Sequence, residues 1–309
     1  MRAELNHKSR RAAILRACPE IAKLAGASPS TAWLAGGAMA LQFLLAAALA
    51  GRPWWAVLIL AYAVGGFIMH CLNCVIHECC HNLVLRRPAA NKAFAILASL
   101  PGLIPSAVSF RHFHLLHHVH FGVRGLDPDI APAWEAQLVR QSRWRKLLWV
   151  LLLPVTYCVV HPLHVKKRLP IDIWLVANVA AVVPVWIGVL WISGWSGIAY
   201  LLLSSYFSVG PHPAGAHILQ EHIAFDGGNG KSSYYGPINW LAVNLGYHLE
   251  HHDLPNIAGW RLPQVRRLVP QFYDDHYVHE SRAAGLWRFV VDPNISLESR
   301  PISEIPTVV

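Results

Sequence analysis

Thr31 to Ala50 carries no charged residue and, at about 20 residues, predicts a membrane-spanning helix. Gly51-Arg52-Pro53 predicts a tight turn, and Trp54-Trp55 opens a second apolar run to Ile76, with its aromatics where a membrane–water interface would lie. From Asn82 to Pro170 the apolar pieces are shorter and interrupted by Pro101, Pro105, Pro154 and Pro162. That pattern predicts interfacial or re-entrant helices on the amino-terminal side rather than spans. Ile171 to Ser193 and Gly197 to about His217 predict a second hairpin turning at Gly194-Trp195-Ser196. Pro184 is expected to kink its first arm, and Pro211 and Pro213 to break the second near its end. The fold expected is an all-α integral membrane protein with four transmembrane helices in two hairpins, at about 31–50, 54–76, 171–193 and 197–217.

The flanks are different. Residues 1–30 form a basic arm with Lys or Arg at 2, 8, 10, 11, 16 and 23; no cleavable signal is expected, because the apolar core starts late and runs too long. Residues 223–300 are polar and rich in turn formers and predict a cytosolic cap, with a frayed tail at 301–309. The membrane core is then 31–222, including the interfacial segment 82–170.

With 54% hydrophobic and 14% charged residues, the chain is too apolar for an ordinary soluble domain. The net charge of +9 comes from basic residues that flank apolar runs, which suits anionic lipid head groups and not nucleic acid. Of 26 Lys and Arg, only Arg52 falls at a predicted hairpin tip, so the positive-inside bias places arm, middle segment and cap in the cytosol. Cys18, Cys71, Cys74, Cys79, Cys80 and Cys158 are expected as reduced thiols, and Cys71-x-x-Cys74 as core packing.

Three clusters carry the candidate chemistry: His77-x-x-x-His81, His114-x-x-His117-His118 and His248-x-x-His251-His252. On a helix, residues four apart place both imidazoles on one face about 6 Å apart. A lone pair would be ordinary among 19 histidines, but this repetition is not explained by helix capping. Eight imidazoles exceed the four ligands of one zinc and predict two metal ions in an all-nitrogen cage. Cys79 and Cys80 turn away from the His77/His81 face by about 100° or more per step. Glu78, Glu221, Glu250 and Asp253 can each orient an imidazole through its outer N–H or serve as an exposed cap. His70, two turns before His77, is a neighbour of the cage or a buried hydrogen-bonded histidine.

At these clusters the chain resembles the membrane fatty acid desaturase superfamily, and more narrowly the sphingolipid Δ4 (dihydroceramide) desaturases, over about residues 7–300. The most specific stretch runs from Ser233-Tyr-Tyr-Gly-Pro through Asn244-Leu-Gly-Tyr-His248-Leu-Glu-His-His-Asp253-Leu-Pro-Asn256 to Leu262-Pro-Gln-Val-Arg266. Pro19-Glu20-Ile21, His77-Glu78 with His81-Asn82, Asp127 and Asp129, His212-Pro213, His217 and Glu221-His222 also match.

The resemblance implies a diiron centre under a cytosolic cap, O2 as co-substrate and electrons from a cytochrome b5 or ferredoxin type donor protein. It implies as ligands His77, His81, His114, His117, His118, His248, His251 and His252, with an extra histidine, His222 in preference to His217. The reaction implied is a trans C4–C5 double bond in a dihydroceramide-type membrane lipid. The alternative is C4 hydroxylation, or another acyl desaturase or hydroxylase reaction on the same scaffold. His112 and His120 depart from the pattern and are expected as packing or head-group contacts, and the loop Asp226 to Lys231 also differs. The abundance of Ala and Arg points to a bacterial cytoplasmic membrane; a eukaryotic chain would sit in the endoplasmic reticulum. A metal transporter or bis-histidine haem protein would instead need ligands at mid-membrane or facing across spans, whereas these clusters sit at or beyond the predicted span ends.

Overall fold

The computed structural model describes residues 7–227 and 232–300. The tail 301–309, the first six residues of the arm and 228–231 of the divergent loop lie outside the described residues. Among the described residues, four helices are long and apolar enough to cross a membrane: Ser30–Ala48, Trp54–Cys80, Arg143–His164 and Ile173–Val209.

Buried polar contacts tie three of these together. Gln42, fully buried on the first helix, donates Nε2 to Gly65 O (3.0 Å) and accepts from Tyr200 OH at 2.6 Å. An amide in an apolar bundle is costly unless satisfied in this way. The second helix passes through a π-helical stretch at Ala61–Gly65, where the chains approach closely. A Cβ on Gly65 would lie 2.1 Å from Ser204 Oγ, so the contact requires glycine.

The run Ile173–Val209 is broken at Gly194, in a left-handed conformation (φ 61°, ψ −161°) that suits glycine. This is where the pattern predicts a turn. Trp186 Nε1 donates to Leu103 O (2.9 Å) and Ser205 Oγ to Gly102 O (3.2 Å), so residues on either side of the break meet adjacent carbonyls. Ser196 Oγ donates to Arg52 O at 3.4 Å, which brings this break beside Gly51-Arg52-Pro53. The run stops at Val209 rather than near 217, ahead of Pro211 and Pro213.

Between these runs, Pro88–Gly102 and Ala107–Val119 are two short helices bent by 116°. The helix Arg143–His164 departs from the expectation that prolines interrupt this region. Pro154 and Pro162 flank a π-helical stretch at Thr156–Val160, and the rearranged ladder lets the helix continue past both. One face follows the carboxyl-terminal region: Lys146 Nζ donates to Phe289 O, Asp292 O and Ile295 O at 2.6–2.9 Å. Tyr157 OH donates to Asp129 Oδ1 (2.9 Å), and His161 meets Glu135 (2.8 Å). The other face, with Trp144, Leu148, Leu152, Val155 and Val159, is exposed.

One further expectation is corrected. The fold is helical but not all-α, because Ser232–Tyr234 and Tyr277–His279 form a parallel pair with Ser233 opposite Val278. The basic arm packs into the fold. Its helix His7–Ala17 and 3-10 turn Pro19–Leu24 bury Ile14 and Ile21 against Leu249, Leu254, Leu262, Val265 and Tyr273. Arg10 and His7 both contact the buried Asp253.

Candidate metal centre

The three clusters converge although 171 residues separate His77 from His248. The first lies at the end of Trp54–Cys80, whose last carbonyls lack partners within the helix. Arg111 Nη1 supplies them, donating to Cys79 O (2.8 Å) and Cys80 O, and so seats the helix that carries the second cluster against the first. The third cluster occupies the short helix His248–Asp253, buried throughout. A hairpin of turns sets it in place: Val243 and Asn244 have positive φ, Tyr234 N donates to Gly246 O, and Gly246 N donates to Asn239 Oδ1 (both 2.7 Å). A Cβ on Gly246 would lie 2.3 Å from Tyr234 O.

Within this frame the rings sort into two lobes. Ring nitrogens of His77, His81, His114, His118 and His251 all lie within 4.8 Å of one another. His117, His248 and His252 gather beside them, with centroids 4.3 Å (His248–His252) and 5.1 Å (His117–His252) apart. His118 and His252 stack at 4.4 Å where the lobes meet. Each His-x-x-His-His run thus divides. Its i, i+4 pair faces one lobe while the middle histidine, His117 or His251, faces the other.

Carboxylates hold the outer nitrogens of the second lobe. Asp127 Oδ1 accepts from His117 Nδ1 (2.9 Å), and its two oxygens also receive the backbone N–H of Asp129 and Gly122. His117, Asp127 and Asp129 could be taken as a separate cation site. Asp127 already accepts three hydrogen bonds, which argues for an orienting carboxylate instead. Burial alone would raise the Asp127 carboxyl, but His117 and Arg300 outweigh it and hold it at about 2. Glu221 Oε1 lies 3.2 Å from His248 Nδ1 and accepts from His217 Nε2. With Nδ1 of His117 and His248 engaged in this way, Nε2 of each is left to face inward.

The other carboxylates singled out in the sequence act elsewhere. Glu78 accepts from Gly259 N, Glu250 from Ser233 and Tyr235, and Asp253 from Arg10, while His7 packs 5.0 Å from the His252 ring. His70 bonds Ser208 O and packs 5.1 Å from His217. His112 packs on Phe113, and His120 meets Lys167. Cys79 and Cys80 lie outside the ring cluster, and all six cysteines are unpaired. The side chain of His222 lies outside the described residues. Asp127, Arg111 and His7 were not singled out by spacing. Asp127, with Asp129, entered the sequence reading only as a match to the family pattern, without a role.

The residues fit a metal. Burial and neighbouring imidazoles keep His251 and His252 well below the usual histidine range, and burial takes His81 to about 3, so these rings stay neutral as ligands must. Nδ1 of His77 and of His251 is buried without a hydrogen-bond partner among the described residues. His81 and His114 Nε2 approach to 2.8 Å, and His118 and His251 Nε2 to 3.2 Å. Imidazole suits iron, zinc, copper or nickel.

Apolar helices with a shared imidazole nest at their ends define a membrane protein built around a metal-capable centre. Comparison with known proteins specifies the class: the fatty acid desaturase family model matches residues 53–283. The chain is 36% identical over 296 residues to a sphingolipid delta(4)-desaturase of Drosophila melanogaster, covering 95% of this chain and 91% of that protein. It is 38% identical over 297 residues to a sphingolipid delta(4)-desaturase/C4-monooxygenase of Rattus norvegicus, with the same coverage. A sphingolipid delta(4)-desaturase of Schizosaccharomyces pombe is 35% identical over 308 residues, covering 95% and 84%. The chain belongs to the fatty acid desaturase family and is an oxidoreductase of the membrane.

Proposed function

We propose that this chain is an O2-dependent desaturase that places a trans double bond between C4 and C5 of a dihydroceramide-type lipid. The carrying observation is that all eight histidines of the three clusters form one two-lobed nest. His77, His81, His114, His118 and His251 would hold one iron, and His117, His248 and His252 the other. The extra ligand proposed is His222, with His217, which shares Glu221 with His248, as the alternative. When bound, the irons supply an oxidant strong enough to take hydrogen from an unactivated methylene, at the expense of O2 and two electrons from a cytochrome b5 or ferredoxin type donor. Asp127 and Glu221 fix the rings of His117 and His248, and the apolar shell excludes water.

The proposed topology is two hairpins with their tips together on the outer side, supported by the Ser196–Arg52 contact and by exposed Trp54 and Trp195 at the breaks. Arm, middle segment and cap then face the cytosol, of a bacterial cytoplasmic membrane or of the endoplasmic reticulum. Arg143–His164 lies along the interface, because one face packs on the cap and the other is apolar. The units are arm 1–30, membrane core 31–222, cap 223–300 and tail 301–309.

C4 hydroxylation is the second reading, favoured by the similarity to the rat delta(4)-desaturase/C4-monooxygenase. Mass spectrometry of lipids from a dihydroceramide-producing host that expresses the chain tests both. Loss of two hydrogens is expected; gain of one oxygen would indicate hydroxylation, and an unchanged profile would overturn both.

A further inference from the structure

Beside the second lobe is a group that the metal chemistry does not use. Arg282 is 1% exposed, and its Nε, Nη1 and Nη2 are all buried without a hydrogen-bond partner among the described residues. Its guanidinium lies 4.9 Å from the centroid of the Tyr234 ring, which offsets only part of the cost of burying the charge. Gln220 has an unpartnered oxygen nearby. Its Nε2 donates to Ser281 O (2.9 Å), and its Oε1 is buried and unbonded. Gly285 leaves room for that amide, since a Cβ there would lie 2.2 Å from Gln220 Nε2.

Both side chains line one cavity, which His217, Glu221 and His248 also line. The cavity has room for about one water-sized group, at about 10 Å³. Size and chemistry together select the ligand. A phosphate or carboxylate is too large, and the Gln220 oxygen and Glu221 would repel it. A hydroxyl fits, because it accepts from Arg282 and donates to Gln220 Oε1.

We propose that Arg282 and Gln220 form a recognition site for a hydroxyl at the polar end of the lipid substrate. This rests on the desaturase reading and deepens it. A hydroxyl held next to His248 brings to the metal centre a carbon only a few bonds away, so the site would set the position of reaction by gripping the head instead of measuring the tail. An analogue without the hydroxyl leaves the guanidinium buried without a hydrogen-bond partner, the kind of loss that polar sites discriminate strongly.

The test measures binding of dihydroceramide, and of the same lipid lacking its C1 or its C3 hydroxyl, to the purified full-length, metal-loaded protein. Wild type is expected to bind one of the deoxy lipids about 10- to 100-fold more weakly. Arg282→Met is expected to lose that preference while keeping its metal content and its affinity for the deoxy lipid. Arg282→Lys, which keeps the charge and loses the fork, is expected to reduce the preference at least threefold, and it decides the matter if Arg282→Met does not fold. Equal binding of all three lipids by wild type, or an undiminished preference in the variants, would overturn the proposal and leave a buried water as the only occupant. If desaturated lipid forms but no preference exists, this inference falls alone. If an Arg282-dependent preference exists but no lipid is oxidised, the desaturase reading falls.

Discussion

Asp127 Oδ1 accepts a hydrogen bond from Nδ1 of His117 at 2.9 Å, and that single contact turns the imidazole Nε2 toward His252, 3.4 Å away. The carboxylate is itself locked by two backbone N–H groups, so the ring has one orientation rather than several.

Asp127→Asn removes the charge while keeping the shape. Metal affinity is expected to fall about 10- to 100-fold with little change in fold, as is usual for carboxylates behind ligating histidines. Metal content after dialysis against a graded chelator series, read beside helix content, checks this. Unchanged retention would show that Asp127 has no part in orienting His117.

Gly246→Ala places a methyl where Tyr234 O already stands, at 2.3 Å. The turn carrying the third cluster has to shift, at a cost of about 1–3 kcal/mol. Thermal unfolding in detergent should show a lowered midpoint, together with weaker metal retention. A midpoint equal to wild type would mean that this turn does not set the cluster.

Arg10→Ala leaves Asp253 buried with His7 still beside it but without its guanidinium partner. A loss of about 1–3 kcal/mol is expected from the under-satisfied carboxylate. Because His7 packs on His252, the arm should also loosen there, and amide exchange across residues 8–17 is expected to speed up. Protection indistinguishable from wild type would contradict a docked arm.

Acid should destabilise the cap. Burial lowers His276 and His279 to about 4, so both stay neutral in the fold while the unfolded chain takes up protons near pH 6.5. Their contribution is complete above about pH 6.5 and is lost as the pH falls toward 4. Unfolding midpoints are therefore expected to drop between pH 7.5 and 5, and a flat profile would contradict the burial of these two rings.

Spacing made the three clusters legible, because His-x-x-x-His and His-x-x-His-His have few other uses at the ends of apolar runs. It did not reveal how each run divides between the lobes, since that depends on how separate helices cross. The carboxylates illustrate the same limit. Glu78, Glu250 and Asp253 sit beside ligating positions in sequence, yet they bond Gly259, Tyr235 and Arg10, and the carboxylate behind His117 comes from a turn ten residues on. Prolines misled in one place. Pro154 and Pro162 imply broken pieces, but a π-helical stretch between them keeps Arg143–His164 continuous.

Iron content of the purified chain is the most direct measurement of the central claim. Protein prepared without chelator is expected to carry about two irons per chain, and His251→Ala, which removes a ring packed against His77, His81 and His118, markedly fewer. Wild-type protein with essentially no iron, or a variant with the full complement, would contradict it.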